Sequence, residues 1–403
     1  MVALACFAFA GELGTIELLY VGCLLVAVLI AGLVLLRLAR GADDVARTLQ
    51  PDVVPTGGTT RVRLHARAGR GAGAVRPRWS DTLPPGVEGV ALAAAAEAGG
   101  SARGGSTNDG LAAVYDARAV RRGIHTIGPA TLQVTDPFGL ARRTMLFGAT
   151  GRLVAVPATV PLAPLPSGAA EAGGLQHSAS DDLGQGNDNL IARPYAPGDS
   201  MRRIHWRATA HRDELMVRQE EQESAPAATV VLDLSGPRWD EAAGLLPGTD
   251  PAFEAAVGAC ASIALRLAKD GCVVSVRDSD GTPLCDPLTG ADAAGGVTAM
   301  LFRLATVHAR ARDALPALAD LFAGEHTGPV VVLTGRVEDA DADRLLTLAH
   351  HSTFPVLLSA VAAASAVVGL REAGWHCAPL GETHDLSEAW AAATERGVHR
   401  AAA

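Results

Sequence analysis

Arg193, Arg202, Arg203, Arg207, Arg212 and Arg218 crowd one short segment together with Tyr195, His205 and Trp206, in a chain whose formal net charge is −9 at pH 7. A guanidinium is a planar fork that grips a carboxylate or a phosphate with two hydrogen bonds and stacks on aromatic faces. Two uses follow from that chemistry. Arg193 and Arg202 can form internal forks to carboxylates such as Asp199, with Trp206 and Tyr195 as stacking partners. Alternatively, the segment is an exposed surface that recognises an acidic or phosphorylated partner. Pro197, Gly198 and Asp199 form a turn signal, and Asp199 or Ser200 can cap a short helix running from Met201 towards His211. On such a helix Arg203 and Arg207 share a face, with Trp206 three residues from Arg203.

Other chemical signatures are sparse. Lys269 is the only lysine, which excludes a Walker A lysine and leaves a single candidate for a Schiff base. Gly184 and Gly186 lack the third glycine of a dinucleotide fingerprint and follow no strand, and no Gly-x-Ser-x-Gly elbow occurs. His350 with His351, and His376 with Cys377, are adjacent pairs whose side chains diverge on any regular element. Cys6, Cys23, Cys260, Cys272, Cys285 and Cys377 show no Cys-x-x-Cys spacing, so neither a disulfide framework nor a zinc site is expected. The acidic balance argues against nucleic acid as a partner of the whole chain.

The elements that position these residues follow from hydropathy. The 403 residues are 49% hydrophobic and 19% charged, a length that suggests two or three domains. Residues 16–36 form an apolar run interrupted only by Glu17, long enough to cross a bilayer as one helix, so residues 1–44 read as a membrane anchor. Arg37, Arg40 and Arg47 follow the run and Glu12 and Glu17 flank its start, which places the bulk of a single-pass cell-membrane protein in the cytoplasm. The apolar block at residues 2–10 is too short to cross. Either that block is interfacial, or the chain start is truncated.

Residues 45–160 alternate apolar and polar positions between Gly and Pro, as at Val62, Leu64 and Ala66, and predict a small antiparallel β-sandwich. Residues 91–110 read as a low-complexity hairpin tip, and Asp136-Pro137-Phe138-Gly139 as a turn with a buried aromatic. Residues 161–189, rich in Pro, Gly, Ala and Ser, read as a flexible linker. The arginine-rich segment occupies residues 190–228. Residues 229–403 then alternate apolar strands near 229–232, 273–276, 330–333 and 355–358 with helical patterns near 253–267, 315–322 and 344–348. That alternation predicts an α/β doubly wound parallel sheet.

The run RPYAPGDSMRRIHWRATA, followed by ELMVRQEEQE and a strand ending VVLDLS, resembles the bacterial domain of unknown function 58 family. Its signature residues here are Arg193, Tyr195, Gly198, Asp199, Arg202, Arg203, His205, Trp206, Arg207 and Arg218. Arg122-Gly123-Ile124-His125-Thr126-Ile127-Gly128-Pro129 and Asp136-Pro137-Phe138-Gly139-Leu140 also match what the family carries upstream. The resemblance implies a membrane anchor, a von Willebrand factor A-like C-terminal domain and a MoxR-type AAA+ ATPase as partner.

A von Willebrand type metal site uses Asp-x-Ser-x-Ser after the first strand, because Mg²⁺ takes hard oxygen ligands in an octahedron. Asp233 and Ser235 fill the first two positions, but Pro237 has no hydroxyl. The later loop at Thr334-Gly335-Arg336 offers an arginine, with Asp339 and Asp341 nearby. The expectation is a degenerate site in which Asp233 fixes the loop by hydrogen bonds, with no cofactor. The function implied is a non-catalytic adaptor or assembly factor. The alternative is a metal-assisted hydrolase using Asp233 and Ser235.

Overall fold

The computed structural model describes residues 2–38, 45–66, 76–89, 111–166, 190–195, 201, 204, 206–212, 214–220, 225–290, 293–322, 328–381 and 386–395. The apolar N-terminus forms two helices, α1 (Val2–Leu13) and α2 (Ile16–Leu38). Gly14, at φ +62°, turns the chain between them in a backbone region that glycine enters without steric penalty. Helix α1 then packs on α2, with the Phe7 ring so close to Gly22 that a β-carbon there would lie 3.0 Å from it. The apolar stretch of α2 covers 22 residues, Ile16–Arg37, or about 33 Å of helix. Its end is anchored in protein: Leu36 is buried in the next domain's core, and Arg143 Nη1 donates to the Leu36 carbonyl at 3.4 Å.

Among the described residues, ten strands follow in three sheets: β1 (Val45–Gln50), β2 (Val53–Pro55), β3 (Thr59–Ala66), β4 (Arg76–Asp81), β5 (Val87–Gly89), β6 (Leu111–Ala119), β7 (Gly123–Ile127), β8 (Ala130–Thr135), β9 (Arg142–Phe147) and β10 (Gly151–Val156). The sheet orders are β1-β3-β6-β5, β2-β10-β7 and β4-β8-β9. Val62, Leu64, Ile127, Val134 and Leu153 meet in their shared core, as the alternating pattern requires.

The expectation of a purely antiparallel sandwich needs correction, because β2 runs parallel to β10. A three-residue edge strand is held by long-range bonds such as Val154 N to Asp52 O and Thr56 N to Val156 O, and nothing local fixes its direction. Two further expectations fail. Phe138 is 53% exposed, and the buried residue of that turn is Asp136, whose carboxylate accepts from the backbone N–H groups of Phe138 and Ala141. Arg47 is no juxtamembrane charge. Its Nη2 meets Asp81 Oδ1 at 2.7 Å with both side chains buried, and the Tyr115 hydroxyl donates to the same carboxylate. The predicted hairpin tip at 91–110 lies outside the described residues.

The pair β11 (Leu190–Pro194) and β12 (Met216–Glu220), antiparallel, brackets the short helix α3 (Trp206–Arg212). Five strands then build one parallel sheet: β13 (Ala227–Leu232), β14 (Val273–Asp278), β15 (Val330–Val337), β16 (Pro355–Ala362) and β17 (His376–Pro379), in the order β14-β13-β15-β16-β17. Each central strand splits its side chains between two cores. Val230, Leu232, Val331 and Leu333 join α4 (Pro251–Lys269), α5 (Ala293–Thr306) and α8 (Leu386–Glu395). Val231, Val330, Val332 and Leu357 join α6 (Asp339–Ala349), α7 (Ala364–Glu372) and a 3₁₀ helix at Leu315–Phe322. Strands buried on both faces read as unbroken apolar runs, which is why the sheet is doubly wound. Helix α4 is apolar enough to cross a membrane, but it is mostly buried as the core helix of this domain.

The two domains pack against each other. Val154 and Val156 of β10 meet Ala305 of α5. The expectation of a linker from residue 161 is corrected for its first part. Residues 157–166 cross α4: Val160 N donates to Ser262 Oγ at 3.0 Å, Leu162 enters the α/β core, and Trp390 Nε1 donates to the Ala163 carbonyl at 2.8 Å. Residues 167–189 lie outside the described residues.

Candidate functional site

In a sheet whose sequential strands stand in the order 2-1-3-4-5, the connections diverge between the first and third strands, and ligands bind beyond their carboxyl ends. Here that crevice lies after β13 and β15, where Asp233 and Thr334 face each other. Asp233 is fully buried. Its Oδ1 accepts from Ser235 N at 3.1 Å and the Ser279 hydroxyl at 2.7 Å, and its Oδ2 accepts from the Thr334 hydroxyl at 2.6 Å. Burial pushes the carboxyl above its usual range, and the bonds from Ser235, Thr334 and Ser279 only partly counter it.

The neighbouring cation is internal. After Ser235, Pro237 starts a one-turn 3₁₀ helix, Gly236–Arg238, that turns Arg238 into the crevice. The guanidinium forks onto Asp341 at 2.6 and 2.8 Å and onto Asp313 at 2.9 Å twice, and Nη1 also donates to the Arg336 carbonyl. Its Nε lies 3.9 Å from Asp233 Oδ2. Burial opposes ionisation of Asp341, but the fork from Arg238 and the Glu338 N–H outweigh it and hold the carboxyl below its usual range. Asp341 also caps α6 by accepting from Glu338 N at 2.9 Å. Gly335 permits the fit, since a β-carbon there would lie 2.1 Å from the Arg238 carbonyl.

The rim is closed in the same way. Asp278 Oδ1 accepts from Leu234 N and Ser279 N, while Arg310 Nη1 meets its other oxygen at 3.0 Å. Burial raises the Asp278 carboxyl despite these bonds. Ser235 Oγ accepts from Ala314 N at 2.9 Å and shares a 3.4 Å contact with Ser279 Oγ.

Magnesium does not fit this cluster. Both Asp233 oxygens already accept hydrogen bonds, Pro237 brings no side-chain oxygen, and a permanent positive charge stands beside the site. Among the described residues, no group of three or more His, Cys, Asp or Glu side chains is placed to hold a metal. The arrangement can brace three loops rigidly around one guanidinium.

The arginine-rich segment contributes differently. Tyr195 is half-buried, and its N–H donates to the Leu215 carbonyl at 2.7 Å. Ile204 is buried and bridges to Val217, while Trp206 opens α3 at 68% exposure. Gly198, Asp199, Arg202, Arg203 and His205 lie outside the described residues, as do the side chains of Arg193, Arg207 and Arg218. Lys269 is exposed at the end of α4. His376 stacks on Phe354 with ring centroids 4.1 Å apart.

Sequence reasoning missed Arg238, although it directly follows the proline that breaks the Asp-x-Ser-x-Ser pattern. It also left Arg122 without a role. Arg122 is buried at the domain boundary, where its guanidinium bonds to Glu254 and to the Leu304 carbonyl and sits over the Phe253 ring.

Fold and site together define a doubly wound α/β domain braced by an internal arginine, mounted on a β-sandwich that carries an apolar N-terminal helix. Residues 191–351, from β11 through α6, match the model of a family described as Protein of unknown function DUF58. No curated protein and no solved structure matches the chain.

Proposed function

We propose that this chain is a membrane-anchored adaptor or assembly factor without catalytic activity of its own, with a von Willebrand factor A-like C-terminal domain that works in the cytoplasm beside a MoxR-type AAA+ ATPase. The observation that carries the non-catalytic reading is Arg238. It occupies the switch-point crevice and pairs with Asp341 and Asp313, where an enzyme of this architecture would keep room for a substrate or metal. The anchor reading is supported by the length and apolarity of α2 and by its Leu36 contact with the sandwich. The partner class rests on the resemblance of the arginine-rich segment, which lies mostly within the matched residues.

Affinity capture of the full chain from membranes, with identification of the ATPase that accompanies it, tests the reading. Recovery of a MoxR-type ATPase supports it. Recovery of the chain without one removes the partner.

A further inference from the structure

The loop between β8 and β9 runs beside the end of α2, and its shape is fixed from within. Asp136 Oδ2 accepts from Phe138 N at 3.1 Å, Oδ1 accepts from Ala141 N at 2.7 Å, and Gly139 N donates to the Asp136 carbonyl at 3.0 Å. Gly139 takes φ +72°, the left-handed conformation that such a tight tip requires. This rigid tip turns its apolar side chains outward: Phe138 is 53% and Leu140 56% exposed. A lone exposed apolar residue needs no explanation. Here two crown one preformed tip, so their exposure costs no ordering entropy on docking.

The tip's position gives the exposure a meaning. Asp136 abuts α2 at Gly32, where a β-carbon would lie 2.9 Å from Asp136 Oδ2. The strand stem sits higher, with Arg143 reaching the Leu36 carbonyl. The tip therefore points back along α2, away from the sandwich. Gly32 precedes Arg37, the end of the apolar stretch, by about 7 Å of helix. With the roughly 33 Å apolar stretch spanning a hydrocarbon core of about 30 Å, Gly32 lies about 5 Å inside the boundary between acyl chains and headgroups, and the tip beside it reaches the outer acyl-chain region. Arg37 on α2 and exposed Arg142 just above the tip stand at headgroup height, where basic side chains gain from anionic lipid.

We propose that the β8–β9 tip is a second membrane contact, with Phe138 and Leu140 inserted among the lipids beside α2 and an anionic phospholipid surface as its partner. This rests on the reading of α2 as a membrane anchor. Two contact points, one helical and one at the tip, fix the tilt of the sandwich and so the height of the α/β domain above the bilayer.

The test uses the full chain reconstituted in phosphatidylcholine vesicles containing phosphatidylglycerol, with acyl chains brominated close to the headgroup. Tryptophan emission is compared for Phe138→Trp, for Tyr20→Trp on the 66% exposed face of α2, and for Leu245→Trp, 75% exposed on the α/β domain. The expected result is loss of the added emission by bromolipid quenching in Phe138→Trp and Tyr20→Trp, with a blue shift of the former, and no added quenching in Leu245→Trp. Quenching in Tyr20→Trp without quenching in Phe138→Trp overturns the tip contact and leaves the anchor standing. Absence of quenching in both overturns the anchor and the tip contact together.

Discussion

Arg122 and Glu254 clamp the two domains together: Nε and Nη2 of the arginine meet the two carboxylate oxygens of the glutamate at 2.8 and 2.7 Å. Glu254 stands one turn into α4, where it also accepts from Gly248 N at 2.9 Å, and Arg122 precedes β7. The clamp thus joins the sandwich to the first helix of the α/β domain. The same boundary also carries apolar contacts among Val154, Val156 and Ala305, with Val53, Leu301 and Phe302 packed against them.

The first prediction concerns that clamp. Arg122→Ala removes a buried guanidinium, empties space over Phe253 and strands the Leu304 carbonyl, a change expected to cost about 3–5 kcal/mol. Arg122→Lys keeps the charge and loses the fork, so it should also destabilise. Thermal unfolding of the full chain in detergent checks both. A lysine variant as stable as the parent would show that charge alone joins the domains.

The second prediction concerns Arg238. Arg238→Ala leaves Asp341 and Asp233 buried without their cation and should lower stability by about 3–5 kcal/mol. A magnesium site of tens-of-micromolar affinity would add about 2–3 kcal/mol at millimolar Mg²⁺. The parent should show no such shift in melting temperature. A magnesium shift in the parent that vanishes in Asp233→Ala would mean that a cation and Arg238 share the crevice.

These two arginines mark the limit of what the sequence reveals. Val230 to Leu232 and Val330 to Leu333 are legible as buried strands because sheets covered on both faces demand apolar runs, a property of adjacent residues. Asp233 and Ser235 are legible because a strand end in a doubly wound sheet is where sites form. Arg238 is not, since its partners Asp313 and Asp341 lie 75 and 103 residues away, and only the packed sheet brings them together. Arg47 fails for the same reason. Its partner Asp81 is 34 residues on, and by position alone it looks like a charge flanking the membrane helix.

The third prediction is a pH dependence with two opposed parts. Burial raises Asp233 above the usual carboxylate range, so the folded chain holds that proton more tightly than the unfolded one. Its contribution to stability is full below the unfolded value and is lost as pH rises through the folded value. Asp341 behaves oppositely: burial works against its charge, but the bonds from Arg238 and Glu338 lower it overall. Its contribution is present above the unfolded value and is lost as pH falls through the folded one. Asp233→Asn, which keeps an acceptor for Ser235 N, should therefore be no less stable than the parent at neutral pH and should lack the gain on mild acidification. Melting temperatures across a pH series read this directly. Strong destabilisation of Asp233→Asn at pH 7 would show that the cluster needs the negative charge.

A fourth prediction addresses topology. With Arg47 committed to Asp81, Arg37 and Arg40 carry the positive flank of α2, against Glu12 and Glu17 on its other side. Short-range Lys/Arg bias sets orientation, so a reporter fused after Ala403 should be active in the cytoplasm. Activity only outside the cell would reverse the orientation and remove a cytoplasmic ATPase as partner.

The last prediction separates folding from recognition in the arginine-rich segment. Its buried anchors are Ile204, Met216 and Val217, and Met216 N donates to the Thr209 hydroxyl at 3.0 Å, tying α3 to β12. Trp206 stands outside that packing at 68% exposure. An exposed tryptophan among arginines has the composition of an interface hot spot, and exposed charges contribute little to folding. Trp206→Ala should therefore leave the melting temperature nearly unchanged while reducing ATPase capture from membranes, and so should the double change of Arg203 and Arg207 to Ala if those two side chains form an outward face. If Arg193 and Arg202 are internal forks, Arg193→Lys and Arg202→Lys should instead lower stability, because an ammonium cannot reproduce a planar two-point contact. Ile204→Ala serves as the folding control, since a buried apolar truncation costs about 2–5 kcal/mol. A Trp206→Ala chain that melts like Ile204→Ala would place the tryptophan in the fold. One that melts like the parent and captures the ATPase undiminished would remove this face from partner recognition.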